Sequence, residues 1–131
     1  MGRKKILVVD DEPDVNAYFH MLLDDHGYKV FQARSAKEAF AIMEMSMPDL
    51  ICLDIMMPKK SGIAFYQEFK LDDRYKDLPT IFISAFSLAR DFYGEGFRKL
   101  ISDQRVPEPQ AYLEKPVQVD KLLEVIKGTI G

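Results

Sequence analysis

Three carboxylates, a hydroxyl and an ammonium in this chain, Asp10, Asp11, Asp54, Ser84 and Lys115, have the chemistry to handle a phosphoryl group and a hard cation. The stretch LVVDDEP, Leu7 to Pro13, sets an apolar run directly against three consecutive acids, Asp10, Asp11 and Glu12. Like charges this close raise one another's pKa unless something positive sits among them. Mg²⁺ is the cation such oxygens suit, because it takes one or two carboxylates and completes its octahedron with waters and phosphate oxygens. A carboxylate beside that cation can act as nucleophile toward phosphorus. The cation, Ser84 and Lys115 would then neutralise the phosphoryl oxygens, where most of the catalysis in such transfers lies.

Those residues act together only if the fold gathers them, and the elements around them predict that it does. KILVV (Lys5–Val9) reads as a buried strand closed by acids. Pro13 stands where a first helical turn tolerates proline, Val15, Tyr18, Phe19, Leu22 and Leu23 follow at helical spacing, and Gly27 stops the helix. YKVFQA is a second strand, and Ser35–Glu38 (SAKE) is a capping box opening a helix with Ala36, Ala39, Phe40 and Met43 on its apolar stripe. DLICLD (Asp49–Asp54) is a third strand ending on an acid, and GIAFYQEFK makes a helix from about Gly62. TIFIS (Thr80–Ser84) and AYLEK (Ala111–Lys115) are the last strands, and Val119, Leu122, Leu123 and Ile126 mark a closing helix. Strands alternating with helices argue for an α/β parallel sheet covered on both faces. In such sheets the ligand site lies beyond the carboxyl ends of the strands. Asp10 and Asp11, Asp54, Ser84 and Lys115 each close a strand, so all five converge there.

The rest of the composition narrows the class. A length of 131 residues with 47% hydrophobic and 30% charged suits one globular domain, taken as residues 1–131. A net charge of -3 gives no footing for nucleic acid or an anionic membrane. One cysteine, Cys52, excludes an internal disulfide and fits the reducing cytoplasm. No run approaches a membrane span, and MGRKKILVVDDE is neither a signal peptide nor a myristoylation motif.

From KILVVDDEP through PDLICLDIMMPKKSG and LPTIFISA to YLEKPV, essentially the whole chain resembles the receiver domain of two-component response regulators. The resemblance implies a flavodoxin-like, doubly wound five-stranded parallel sheet in the order 2-1-3-4-5 with helices on both faces. It makes Asp54 the phosphoacceptor and gives Mg²⁺ to Asp10, Asp11, Asp54 and the backbone carbonyl of Met56, with Asp11 direct and Asp10 largely through water. It makes Ser84 the hydroxyl that senses the phosphoryl group, Lys115 its partner, and Tyr112 the aromatic that swings inward with it. The Lys115–Pro116 bond is expected to be cis. The implied function is a phosphorylation-controlled switch rather than an enzyme with an external substrate. Its donor would be a histidine kinase or phosphotransfer protein, its target a downstream output domain or protein.

Plainer readings exist for each residue. Asp11, Glu12 and Asp14 could cap a helix and meet its dipole; Ser84 could bond backbone; Lys115 and Tyr112 could be ordinary strand residues. Together these require separate coincidences at one end of one sheet. A phosphatase of the haloacid-dehalogenase type would want a second Asp two residues beyond Asp54, where this chain has Met56. A pseudo-receiver without phosphorylation would not need the intact acidic set. The chain departs from the family at residues 86–110, a connection longer than usual. There Leu88, Phe92, Phe97, Leu100 and Ile101 keep a rough helical period among Arg90, Arg98, Lys99 and Arg105, a pattern read as a solvated amphipathic face reshaped for a partner. Met56 and Phe86, apolar two residues beyond Asp54 and Ser84, predict a long-lived acyl phosphate because neither orients a hydrolytic water.

Overall fold

Period-two alternation in nearly continuous apolar strands decides how the layers form. In the computed structural model, which describes residues 2–55, 62–85, 101 and 103–131, with the side chains of Ser84 and Ala85 outside that set, five strands form one parallel sheet. They are β1 (Lys5–Val9), β2 (Lys29–Ala33), β3 (Leu50–Asp54), β4 (Thr80–Ala85) and β5 (Ala111–Lys115), in the order β2-β1-β3-β4-β5. The helices among the described residues are α1 (Pro13–Asp25), α2 (Ala36–Met45), α3 (Gly62–Lys70) and α4 (Val119–Ile130).

Alternate strand residues face opposite layers. Leu7, Val9, Ile51, Leu53 and Phe82 pack with Ala39 and Met43 of α2 and Phe65 and Phe69 of α3. Ile6, Val8, Cys52, Ile81 and Ile83 pack with Phe19 and Leu23 of α1 and Leu122 and Ile126 of α4. Two buried faces explain why the strands read as apolar runs rather than as alternating ones.

The expected helix signals hold, with two adjustments. Ser35 accepts from the Glu38 N–H at 3.2 Å, but Glu38 reaches back to the N–H of Arg34 rather than of the cap itself. On α1 the buried line is Asn16, Phe19 and Leu23, whereas Tyr18, read from spacing as part of the stripe, is 45% exposed. Steps of about 100° per residue put Tyr18 on the rim of a stripe centred one residue along. Gly27 turns α1 off with φ 91°.

Ahead of β5, the VPEPQ stretch has defined partners. The Tyr66 hydroxyl donates to the Pro107 carbonyl at 2.6 Å, and Gln110 accepts the Thr80 N–H at 2.7 Å while its own N–H donates to the Thr80 carbonyl at 2.8 Å. Arg105 pairs with Asp103 at 2.7 Å on the surface, in keeping with a solvated cation. Leu88, Arg90, Phe92, Phe97, Arg98, Lys99 and Leu100 lie outside the described residues, as do Met56 and Phe86; Ile101 is described and buried.

Candidate functional site

β1 pairs with β3, β3 with β4, and β4 with β5, so the parallel ladders deliver their last residues to one edge. There Asp10 and Asp54 are buried, 2% and 4% exposed, and Asp11 is half-buried. One carboxylate oxygen from each of the three lies within 4.8 Å of the others. Lys115 crosses from β5 to place Nζ 2.9 Å from Asp10 Oδ2 and 3.3 Å from Asp54 Oδ2. Burial would lower the Lys115 pKa, but the hydrogen bond it donates to Asp10 and the charges of Asp54 and Asp10 outweigh it and hold the ammonium above its ordinary value.

One half-buried ammonium between two buried carboxylates, with a third acid alongside, leaves the cluster with more acidic than basic groups. That charge balance fits a divalent cation. Asp10 already has both oxygens engaged, Oδ2 by Lys115 and Oδ1 by the Glu12 N–H at 3.0 Å. It is therefore suited to reach a cation through water.

The capping alternative finds little support. Glu12 occupies the N-cap of α1 without a side-chain cap bond, and only Asp14 sits in the first turn. Tyr112 is turned in, 8% exposed, with its ring edge-on to Phe82 at 5.6 Å. Phe82 is in turn edge-on to Tyr66 at 4.7 Å. The Lys115–Pro116 peptide is cis, as expected. β4 runs one residue past Ser84, to Ala85; Ser84 pairs in register with Glu114, while its side chain and all of Met56 lie outside the described residues.

Residues that the sequence reading did not single out complete the edge. Gly62 opens α3 so close to β3 that an added Cβ would stand 2.5 Å from both the Asp54 carbonyl oxygen and the Ile55 Cα. Asn16 is buried in α1, its Nδ2 donating to the Asp10 carbonyl at 2.6 Å. Polar Asn16 at i, i+3 and i+7 with Phe19 and Leu23 was the available signal, masked by the apolar neighbours Val15 and Tyr18. Beside Lys115, an apolar groove of about 520 Å³ is lined by Asp14, Val15, Tyr18, Phe19, Pro116 and Val117.

Known proteins resemble this chain in sequence and fold. The family model described as the response regulator receiver domain matches residues 6–127. The polar-differentiation response regulator DivK of Brucella anthropi is 28% identical over 130 residues, covering 98% of this chain and 97% of the relative. The receiver domain of NtrX from Brucella abortus superposes with a TM-score of 0.79 at 29% identity, covering 95% of this chain and 97% of that one. The chemotaxis protein CheY4 of Vibrio cholerae is similar in fold, with a TM-score of 0.82 at 22% identity over 98% of this chain and 100% of that one.

Proposed function

This chain belongs to the response regulator receiver domain family, and on that premise we propose that it is a switch thrown by phosphorylation of Asp54. The observation that carries the reading is the Lys115 ammonium held between buried Asp10 and Asp54 beside Asp11. In the step itself an Asp54 carboxylate oxygen attacks phosphorus. The P–O or P–N bond to the donor breaks, and the electron pair leaves with the donor. Asp11, Asp54 and the Met56 carbonyl would hold Mg²⁺, with Asp10 through water, and the bound cation would neutralise charge on the phosphoryl oxygens. Lys115 then exchanges an Asp54 oxygen for a phosphoryl oxygen, and the Ser84 hydroxyl donates to another. Drawing the Ser84 hydroxyl to the phosphoryl group is what lets the edge of the sheet rearrange, with Tyr112 as the aromatic that packs behind it.

A histidine kinase or phosphotransfer protein is the proposed donor, and the apolar groove beside Lys115 offers such a protein a foothold close to Asp54. A downstream domain or protein reads the modified face. The cytoplasm is the proposed location; no helix among the described residues is long and apolar enough to cross a membrane. Asp54 takes up and slowly loses its own phosphoryl group, and no external substrate is turned over. Because Met56 and Phe86 cannot orient water, the acyl phosphate should be long-lived, and Met56→Asn should speed its loss in a radiolabel decay assay; an unchanged rate would remove that account.

Intact mass spectrometry after incubation with acetyl phosphate tests the central reading. A gain of one phosphoryl group, about 80 Da, is expected with Mg²⁺ and not with EDTA, and not in Asp54→Asn. No gain in any condition, in a protein that still binds Mg²⁺, would argue instead for a pseudo-receiver or for a site that refuses small donors; a kinase-coupled assay separates those.

A further inference from the structure

We propose that Asn16 is a positioning residue of the acidic edge, fixing the direction in which Asp11 presents its carboxylate to a divalent cation. The inference rests on the Mg²⁺ reading above and adds a residue to it. Asn16 is 1% exposed, and a buried carboxamide on a helix stripe otherwise filled by Phe19 and Leu23 needs partners that an apolar residue would not. Its side-chain Nδ2 donates to the Asp10 carbonyl at 2.6 Å and to the Ala33 carbonyl at 3.4 Å. Its backbone N–H donates to the Glu12 carbonyl at 3.1 Å. The Glu12 N–H returns to Asp10 Oδ1 at 3.0 Å. Asn16 thus holds the residue before Asp11 and the residue after it, and the bonds close a ring around Asp11.

The same ring is anchored to the sheet. The Ala33 carbonyl at the end of β2 takes both the Asp10 N–H, at 3.0 Å, and the Asn16 amide. The Asp10 carbonyl lies beyond the last residue of β1, where the chain turns toward α1, and Asn16 supplies a donor for it there. The Oδ1 of Asn16 is buried without a partner among the described residues, a cost that packing alone would have avoided with leucine. A group that orients a metal ligand in this way typically moves metal affinity by tenfold or more when removed.

The test measures the Mg²⁺ dissociation constant by NMR titration of the Asp11 and Glu12 amides in wild type, Asn16→Leu and Asn16→Ala. Thermal melts run alongside, with Met43→Ala, a truncation in the opposite layer, as the control for general destabilisation. Asn16→Leu keeps the buried volume and removes the donors; its dissociation constant should rise about tenfold while its melting temperature stays near wild type. Met43→Ala should lose melting temperature and keep its Mg²⁺ affinity. Asn16→Ala should give the same rise if leucine overpacks the site. Dissociation constants for both Asn16 variants within twofold of wild type would overturn the inference and leave the Mg²⁺ reading standing. A wild-type protein with no Mg²⁺-dependent shift would overturn that reading itself, and the inference with it, before any variant is compared.

Discussion

Lys115 and Lys70 sit at opposite ends of the same sheet and show what a lysine becomes in two environments. Lys115 lies where β1, β3 and β5 end, among carboxylates, and its pKa is raised. Lys70 ends α3 near the start of β4, 5% exposed, donating to the carbonyls of Lys76 and Leu78 and lying 5.6 Å over the rings of both Tyr66 and Phe69. Burial pushes its pKa down to about 8, against the opposing charge of Asp77. Carbonyl dipoles and ring faces satisfy the ammonium geometrically, and among the described residues no carboxylate takes a hydrogen bond from it. One lysine is therefore a charge available to an incoming anion, and the other is a brace that holds a loop. The lesson is that burial alone does not set what a lysine becomes; the negative charge around it does.

Removing Lys115 should have the largest effect. Lys115→Ala leaves Asp10 and Asp54 buried side by side without a counter-charge; about 3 kcal/mol of stability should be lost in EDTA, part of it returning with Mg²⁺ in urea melts. Its rate of phosphorylation by acetyl phosphate should fall about a hundredfold. Stability lost without any Mg²⁺-dependent recovery would break the comparison, because it would make Lys115 a brace too. Next comes Gly62→Ala, whose Cβ would stand 2.5 Å from backbone at the Asp54 end of β3. A loss of about 1–3 kcal/mol and slower phosphorylation are expected, whereas a neutral effect would show that the helix start relaxes freely.

Lys70→Met should leave Asp54 phosphorylation within about twofold while changing how stability depends on pH. The folded pKa of about 8 lies below the unfolded 10.5, so between those values the unfolded chain binds more protons and folding strengthens as pH rises. The stability of wild type relative to Lys70→Met should therefore climb from pH 8 to pH 10.5 in urea titrations. The Lys115 contribution has the opposite sign: with a raised folded pKa it is fully present below 10.5 and declines only above it. A flat wild-type-minus-variant difference across that window would show that Lys70 is not held against its burial. The smallest effect belongs to Tyr66→Phe, which removes the donor to the Pro107 carbonyl and should cost about 1 kcal/mol with phosphorylation unaffected.

Much of this was legible before any coordinates. The strand ends named the acidic edge because a parallel α/β sheet can put its ligand site only beyond the carboxyl ends of its strands. Asp10, Asp54 and Lys115 were readable as a set for that reason, and Tyr112 through family resemblance. Asn16, Gly62 and Lys70 were not. Asn16 sits among apolar neighbours that satisfy helical spacing one residue out of phase, and Gly62 looked like an ordinary helix start. Lys70 looked like a basic residue in a last helical turn, where the dipole welcomes one on the surface.

The sequence by itself determined the elements and the chemistry they carry, because local spacing sets which residues face a core and which residue closes each strand. Only the tertiary structure decided which lysine is charged against acids and which against carbonyls, that Asp10 has both oxygens engaged, and that α3 starts against the backbone of Asp54. Those depend on residues such as Asp10 and Lys115, more than a hundred positions apart, meeting at hydrogen-bond distance. No local pattern encodes such a meeting; it follows from strand register and from how close the layers pack.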